Sequence, residues 1–151
     1  REQRLTIVCF TISAMGTLYG LSYPKEPKLS ELPLTEQIYV AQKKAIEEAA
    51  KRGSCVFIGR CADYILKSRP DVLRVFVYAD RDIRLRRAID EYGDLEEHID
   101  EFMHQTDKRR RIYYENYTNQ RWGDRENYDL MLNSGDLGIE KCVELICQAV
   151  K

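Results

Sequence analysis

The sequence has almost no excess of charge of either sign. Its 151 residues include 24 lysines and arginines and 25 aspartates and glutamates, so the formal net charge is −1. A protein that binds nucleic acid across its surface carries a large positive charge. The balance therefore argues against a general polyanion-binding protein, and any anion chemistry must come from a local cluster of basic residues.

The sequence also lacks the patterns of a metal or disulfide scaffold. Its five cysteines are odd in number and include no C-x-x-C pair, which argues against a zinc ribbon and a disulfide framework. His98 and His104 are not four residues apart and have no cysteine partners, so we predict no metal site. Polar residues interrupt the apolar segment 5–21, which is short for a membrane span. We therefore expect a protein of the reducing cytoplasm that has no membrane partner.

Helical and strand patterns alternate along the rest of the chain. Apolar, β-branched runs predict strands at 54–58, 72–78 and 128–133. Helical spacing of apolar residues predicts helices at 35–52, 62–67, 81–92, 95–117 and 139–150. Residues 5–12 fit either a strand or a partly buried helix, and three prolines mark 22–34 as a loop. This order predicts one α/β domain over residues 1–151, with a parallel sheet and helices on both faces.

One predicted strand ends abruptly in a turn that carries an arginine. The apolar run at 54–58 stops at Gly59-Arg60. Ligands of open α/β sheets bind beyond the carboxyl ends of the strands, and a guanidinium group suits phosphate or carboxylate. Arg60 is therefore a candidate anion ligand, although a turn glycine followed by a surface arginine explains these residues equally well. The adjacent Cys61 has this one cationic neighbour, which is a weak basis for a lowered thiol pKa.

A first cluster of basic residues lies in the predicted helix 81–92. Arg84 and Arg87 are one turn apart there. They either face an anion or form a solvated face that pairs with Asp82 and Asp90. The sequence of this helix alone leaves both readings open.

The second cluster is the segment 107–111, in which four basic residues follow an aspartate and precede several aromatic residues. Helical spacing places Asp107, Arg110 and Arg111 on one face. Neighbouring cations repel one another, and a face that closes on phosphate groups uses that charge. Basic residues interleaved with aromatics also suit single-stranded nucleic acid, but the shortness of the segment and the near-neutral chain argue against nucleic acid as a partner.

Three motifs taken together resemble the cytidylate kinase-like family of P-loop nucleoside-monophosphate kinases. They are V-F-I-G-R-C-A-D-Y-I-L at 56–66, T-D-K-R-R-R-x-Y-Y at 106–114 and W-G-D-x-E-N-Y-D-L-x-L-N-S-x-x-L-G-I-E at 122–140. The match spans roughly residues 32–150. The resemblance implies a P-loop NTPase-like fold with a helical lid at about 95–127, and transfer of the γ-phosphate of ATP, with Mg²⁺, to a nucleoside monophosphate or a related small acceptor.

The resemblance also implies roles for individual residues. It assigns nucleotide or phosphate binding to Arg60, Asp63, Arg84, Arg87, Asp107, Lys108 and Arg109. It assigns a catalytic role to Arg110 and Arg111 of the lid, which would meet the transferring phosphoryl group. It places residues 133–135 near a nucleotide base.

The chain departs from the family pattern at three points. Cytidylate kinases have Gly-Arg-Asp where this chain has Gly59-Arg60-Cys61, with the nearest carboxylate at Asp63, so the resemblance does not imply cytosine as the base. Met103 replaces a lid arginine one turn before Asp107. No G-x-x-x-x-G-K followed by serine or threonine occurs in the sequence, and residues 13–17, with one glycine and no lysine, do not form a phosphate cradle.

The missing motif leads to two expectations. The first is that the chain is the remainder of a longer enzyme whose central strand and phosphate-binding loop precede Arg1. The second is that residues 5–12 fill the central position in a non-catalytic relative that binds or senses nucleotides. A single-stranded nucleic-acid-binding domain is a further alternative, and a homo-oligomer stays possible.

Overall fold

The fold is built on a parallel sheet with helices on both faces. The computed structural model describes residues 5–9, 32–92 and 96–150. Within them four strands form one sheet in the order β2-β1-β3-β4. The strands are β1 Leu5–Cys9, β2 Val56–Phe57, β3 Val72–Tyr78 and β4 Leu130–Asn133. The helices are α1 Leu34–Arg52, α2 Ala62–Ile65, α3 Arg81–Tyr92, α4 Glu96–Thr118, α5 Ser134–Leu137 and α6 Ile139–Ala149.

The central strand of the sheet lies within this chain. Strand β1 pairs in parallel with β2, where Ile7 is in register with Phe57, and with β3, where Val8 is in register with Val75. The expectation that the central strand precedes Arg1 is therefore wrong, and residues 5–9 fill that position. A strand with neighbours on both sides has all its backbone groups paired, which suits the apolar sequence Leu-Thr-Ile-Val-Cys. Residues 13–17 and most of the predicted loop 22–34 lie outside the described residues.

The strand order creates a switch point beside β1. The chain moves from β1 to β2 on one side, and then crosses to β3 on the other side. Ligands of doubly wound sheets bind at such a point, in the crevice beyond the carboxyl ends of the strands. Binding residues are therefore expected in the segments that follow these strands, including the one after β3.

The predicted elements agree closely with the observed ones. Strand β3 and helix α3 have the predicted bounds, while β2 is shorter than the predicted strand 54–58. Strand β2 is at the edge of the sheet and Val56 is 62% exposed. Few contacts therefore stabilise strand pairing beyond these two residues. The short helix α5 was not predicted. It begins at Asn133, whose side-chain oxygen accepts a hydrogen bond from the backbone N–H of Gly135 at 2.9 Å.

Two apolar clusters pack on the two faces of the sheet. One contains Ile46 of α1 and Leu66 at the end of α2, together with Tyr128. The other contains Val75 of β3, which is fully buried, and Cys142 of α6. The predicted α/β architecture with helices on both faces is confirmed by these clusters. None of the described helices is both long enough and apolar enough to cross a membrane.

An ion pair fixes the junction between β3 and β4. The guanidinium group of Arg74 donates to both carboxylate oxygens of Asp129, at 3.1 and 2.7 Å, and its backbone N–H donates to Oδ2 at 2.8 Å. The backbone N–H of Asp129 donates in return to the Arg74 carbonyl at 2.9 Å. These bonds lower the pKa of Asp129 below its ordinary value, chiefly through the side chain of Arg74. Together they set the position at which β4 begins to pair with β3.

We expect Asp129→Asn to lower the free energy of unfolding by about 1 kcal/mol at pH 7, a modest value because more than a quarter of each side chain is exposed. The pKa of Asp129 is lowered in the folded state from an ordinary value of 3.8. The contribution is therefore present above that value and disappears as the pH falls through the folded-state pKa. Urea unfolding of wild type and variant at pH 7 and at pH 3 measures both effects.

The matched control is Asp82→Asn, which removes an 84% exposed carboxylate paired with Arg81 and should change stability by less than about 0.5 kcal/mol. A variant Asp129→Asn as stable as the wild type at pH 7, or a difference that grows at low pH, contradicts the assigned role of the pair.

Candidate functional site

A cavity of about 440 Å³ opens beyond the carboxyl end of β3. Its size falls within the range of about 300–1,000 Å³ that is common for ligand sites. One wall is the end of β3 with Ala79, and Trp122 and Ser134 close two other sides. The remaining described lining residues are charged: Arg84, Arg87, Asp107, Arg110 and Arg111. The lining described here thus carries an excess of three positive charges, which favours an anionic ligand.

Asp107 joins two of these arginines across two helices. Arg84 of α3 donates from Nη1 to Oδ2 at 2.7 Å and from Nη2 to Oδ1 at 3.0 Å. Arg110, one turn after Asp107 on α4, donates from Nη1 to Oδ1 at 3.2 Å. The bidentate pair of Arg84 and Asp107 fixes the plane of the guanidinium group as well as its position. Arg84 and Arg110 are therefore already oriented at the cavity by contacts within the protein.

Arg87 is held by neutral groups. Its Nη1 donates to the Ser134 hydroxyl at 3.0 Å and its Nη2 to the Ser134 carbonyl at 2.7 Å. The Ser134 hydroxyl donates in turn to the carbonyl of Tyr78, at 3.1 Å, at the end of β3. Within the described part of the chain no carboxylate pairs with Arg87, so its charge remains available to a ligand.

The cavity brings together candidate arginines from two separate segments of the sequence. Arg84 and Arg87 come from α3, while Arg110 and Arg111 come from α4 and line the same cavity. The grouping of these four residues, which the sequence could only suggest, is thus present in the structure. The sequence did not predict that Ser134 accepts hydrogen bonds from one of these arginines. Its position directly after β4, at the same edge of the sheet, is the signal that could have identified it.

The other predicted ligands lie elsewhere. Lys108 and Arg109 are exposed on α4 and are not among the described residues that line this cavity. Arg60 is also absent from that lining. It follows β2, the outer strand on the far side of β1, and it lies beside Tyr113, whose pKa burial raises to about 12 although Arg60 acts in the opposite direction.

The turn that carries Arg60 has an unusual backbone. Gly59, Arg60 and Cys61 have φ angles of 66°, 56° and 57°. Such left-handed conformations cost an ordinary residue about 1–2 kcal/mol each, so the surrounding contacts must hold this turn in place. Cys61 is 2% exposed, and burial raises its thiol pKa to about 12. The lowered pKa considered for this thiol is therefore wrong, and Cys61 remains a neutral thiol.

Asp63 is an interior residue. Only 2% of it is exposed, and its Oδ2 accepts a hydrogen bond from the hydroxyl of Tyr114 at 2.6 Å. Burial and the neighbouring Asp63 both raise the pKa of Tyr114, so the phenol keeps its proton. The family resemblance assigned Asp63 to nucleotide binding, and that role stays a prediction. In the structure Asp63 joins α2 to the long helix α4.

The chain is similar to known proteins both in sequence and in fold. The sequence profile of the cytidylate kinase-like family matches residues 4–136. A crystal structure of an uncharacterized protein from Eubacterium ventriosum ATCC 27560 is similar, with a TM-score of 0.74 and 27% sequence identity over 81% of this chain and 69% of that one. No curated protein matches the sequence.

We expect Tyr114→Phe to lower the free energy of unfolding by about 1–3 kcal/mol, because it removes the hydroxyl that donates to a buried carboxylate. Urea unfolding at pH 7 provides the measurement. The matched control is Tyr113→Phe, which removes a hydroxyl that donates to Gln42 at 2.9 Å in a half-buried position and should cost less. Equal stabilities of Tyr114→Phe and wild type would remove Asp63 from the structural role given to it.

We expect pyrophosphate to bind the cavity and to change the fluorescence of Trp122, the single tryptophan of the sequence and part of the lining. Arg87→Ala should weaken pyrophosphate about tenfold to a hundredfold, since charged hydrogen bonds contribute about 1.5–3 kcal/mol. The matched control is Arg86→Ala, which changes an exposed arginine of the same helix that is not among the described lining residues. Equal losses in both variants would indicate a non-specific charge effect instead of a site.

Proposed function

We propose, from the premise that the chain belongs to the cytidylate kinase-like family, that it is a phosphotransferase that moves the γ-phosphate of ATP to a nucleoside monophosphate or a related small acceptor. A kinase-like function is what the family membership supports. The choice of ATP as donor and of a nucleotide as acceptor is the part that we add.

The observation that carries the proposal is the convergence of four arginines on one cavity. Arg84, Arg87, Arg110 and Arg111 come from two helices and face the same space beyond the sheet. A transferring phosphoryl group spreads negative charge over its equatorial oxygens. Guanidinium groups match those oxygens in charge and geometry, and the cavity is large enough for more than one phosphate.

The proposed mechanism depends on alignment and charge. The acceptor is already a phosphate oxygen, so the reaction needs no strong general base. Arg84 and Arg87, fixed by Asp107 and Ser134, would hold phosphate groups in place. Arg110 and Arg111 on α4 would neutralise the charge that develops during transfer, and a helix that covers the phosphates would also exclude water.

The described residues do not provide a protein site for Mg²⁺. They contain no group of three or more His, Cys, Asp or Glu side chains that could hold a metal ion. Asp107, the one carboxylate among the described lining residues, is bound by two arginines. Mg²⁺ commonly binds to the phosphates of a nucleotide with few protein ligands. In the proposed mechanism the protein's own contribution comes from the arginines.

The missing phosphate-binding motif favours a second candidate, a non-catalytic nucleotide-binding module of the same family. No G-x-x-x-x-G-K with a following serine or threonine occurs in the sequence. The lysine of that motif reaches the phosphates of the donor nucleotide. A protein without it would keep the arginine cavity described above and bind nucleotides without transferring phosphate.

One experiment separates the two candidates. The purified protein is incubated with ATP, Mg²⁺ and each common nucleoside monophosphate, and diphosphate formation is followed by chromatography. The enzyme should form ADP and a second diphosphate in equal amounts. Arg110→Ala should lower kcat about a hundredfold or more, because electrostatic stabilisation of that kind contributes roughly 3–4 kcal/mol.

The control is again Arg86→Ala, which should leave kcat unchanged. Binding of nucleotides by calorimetry without any diphosphate formation would support the non-catalytic module. Absence of both binding and transfer contradicts both candidates.

A further inference from the structure

A second cavity, of about 260 Å³, is lined by residues of α3 and α4. Arg84, Arg87 and Arg110 line both cavities. The rest of the second lining is of a different kind: Ala88, Phe102, Met103 and Thr106. We call this space the α3–α4 cleft. Its lining thus combines cationic and apolar side chains.

Among the described residues, none is a hydrogen-bond partner of the Thr106 hydroxyl. Thr106 is 6% exposed, and its Oγ1 is buried without a donor or acceptor in reach. A threonine within a helix commonly donates to the carbonyl four residues earlier. Thr118 of the same helix does so, at 2.6 Å to the Tyr114 carbonyl. An unsatisfied buried hydroxyl is costly and Thr106 lines the cleft, so a ligand atom that accepts from this hydroxyl, once the side chain turns it toward the cleft, would recover this loss.

Phe102 presents an aromatic ring at the same cleft. It is 54% exposed although it is large and apolar. Met103 follows it, in the position where the resemblance places a lid arginine. The change from arginine to methionine removes one cation from this side of the lid and leaves an apolar surface beside three guanidinium groups. An apolar wall next to cations suits a ligand that is anionic at one end and uncharged at the other.

We propose that the α3–α4 cleft binds the planar heteroaromatic ring of a nucleotide whose phosphate lies among the arginines. The proposal rests on the proposed function, since it needs a phosphorylated ligand. A ring of that kind stacks on Phe102 and offers a carbonyl oxygen or ring nitrogen to Thr106. An aliphatic group would leave the hydroxyl unsatisfied, and a sugar would gain little from Phe102 and Met103.

The position of Asp63 supports this assignment. Asp63, the carboxylate nearest to the aspartate of the family's Gly-Arg-Asp pattern, is buried and bonded to Tyr114. It is therefore engaged within the protein instead of facing a ligand. A base bound by this chain needs other hydrogen-bonding and stacking groups, and the α3–α4 cleft supplies one of each next to the arginines.

The test compares two kinds of ligand that differ only by the ring. Calorimetry measures the dissociation constants of ribose 5-phosphate and of the adenosine, cytidine, guanosine and uridine monophosphates for the whole chain. The tightest monophosphate should bind at least about tenfold more tightly than ribose 5-phosphate, which is the gain expected from one base stacked on an aromatic ring. Equal affinity of all five ligands overturns the proposal.

Two variants locate the ring. Phe102→Ala and Thr106→Val should each reduce the preference for the monophosphate several-fold while ribose 5-phosphate keeps its affinity. Thr106→Val keeps the side-chain volume and removes an unsatisfied hydroxyl, so thermal unfolding should show a variant at least as stable as the wild type. A lost preference in a stable protein then reports the missing hydrogen bond and not misfolding.

The control is Ile112→Ala, an exposed residue of α4 that does not line the cleft in the described structure. It should leave both affinities unchanged. A preference that persists in Phe102→Ala and Thr106→Val places the ring elsewhere and overturns the proposal. Failure of ribose 5-phosphate to bind, with no effect of Arg87→Ala on any ligand, is a failure of the proposed function instead.

Discussion

The arrangement of the candidate site depends on one carboxylate that two helices share. Asp107 accepts hydrogen bonds from Arg84 of α3 and from Arg110 of α4. Without it, cationic side chains on facing helices would repel each other, and the two arginines would have no common anchor. The carboxylate reduces that repulsion and orients both groups, but it cancels only one of the four charges at the cavity. The site is therefore both ordered and strongly cationic.

The sheet determines which residues can reach this carboxylate. Helix α3 begins three residues after β3 ends, and α5 follows β4 directly. Both strands run parallel, so both segments emerge at the same edge. That is why Arg87 meets Ser134, which is 47 residues away in the sequence. The strand β1 has a comparable role at the centre, because its pairing with β2 and β3 holds the two halves of the sheet together.

Local patterns predicted the elements better than the contacts between them. The alternating and helical spacing of apolar residues gave the bounds of β3 and α3, because each pattern reflects one buried face. The place of β1 between two strands depends on pairing with distant residues, which the apolar segment 5–12 by itself did not show. The burial of Asp63 was missed for a similar reason. An aspartate is expected at the surface, and the hydroxyl of Tyr114, 51 residues away, helps to make an interior position favourable.

The burial of Asp63 also affects its neighbour Cys61, which stands where cytidylate kinases have an aspartate. Cys61 and Asp63 are each 2% exposed, and the charge of Asp63 contributes to the raised pKa of the Cys61 thiol, so the two side chains are close. An aspartate at position 61 would bring a second carboxylate into this buried space, where two like charges cannot both stay ionised. A small neutral cysteine is compatible with a buried Asp63. In a chain whose Asp63 holds Tyr114, the departure from Gly-Arg-Asp at position 61 therefore has a local structural reason.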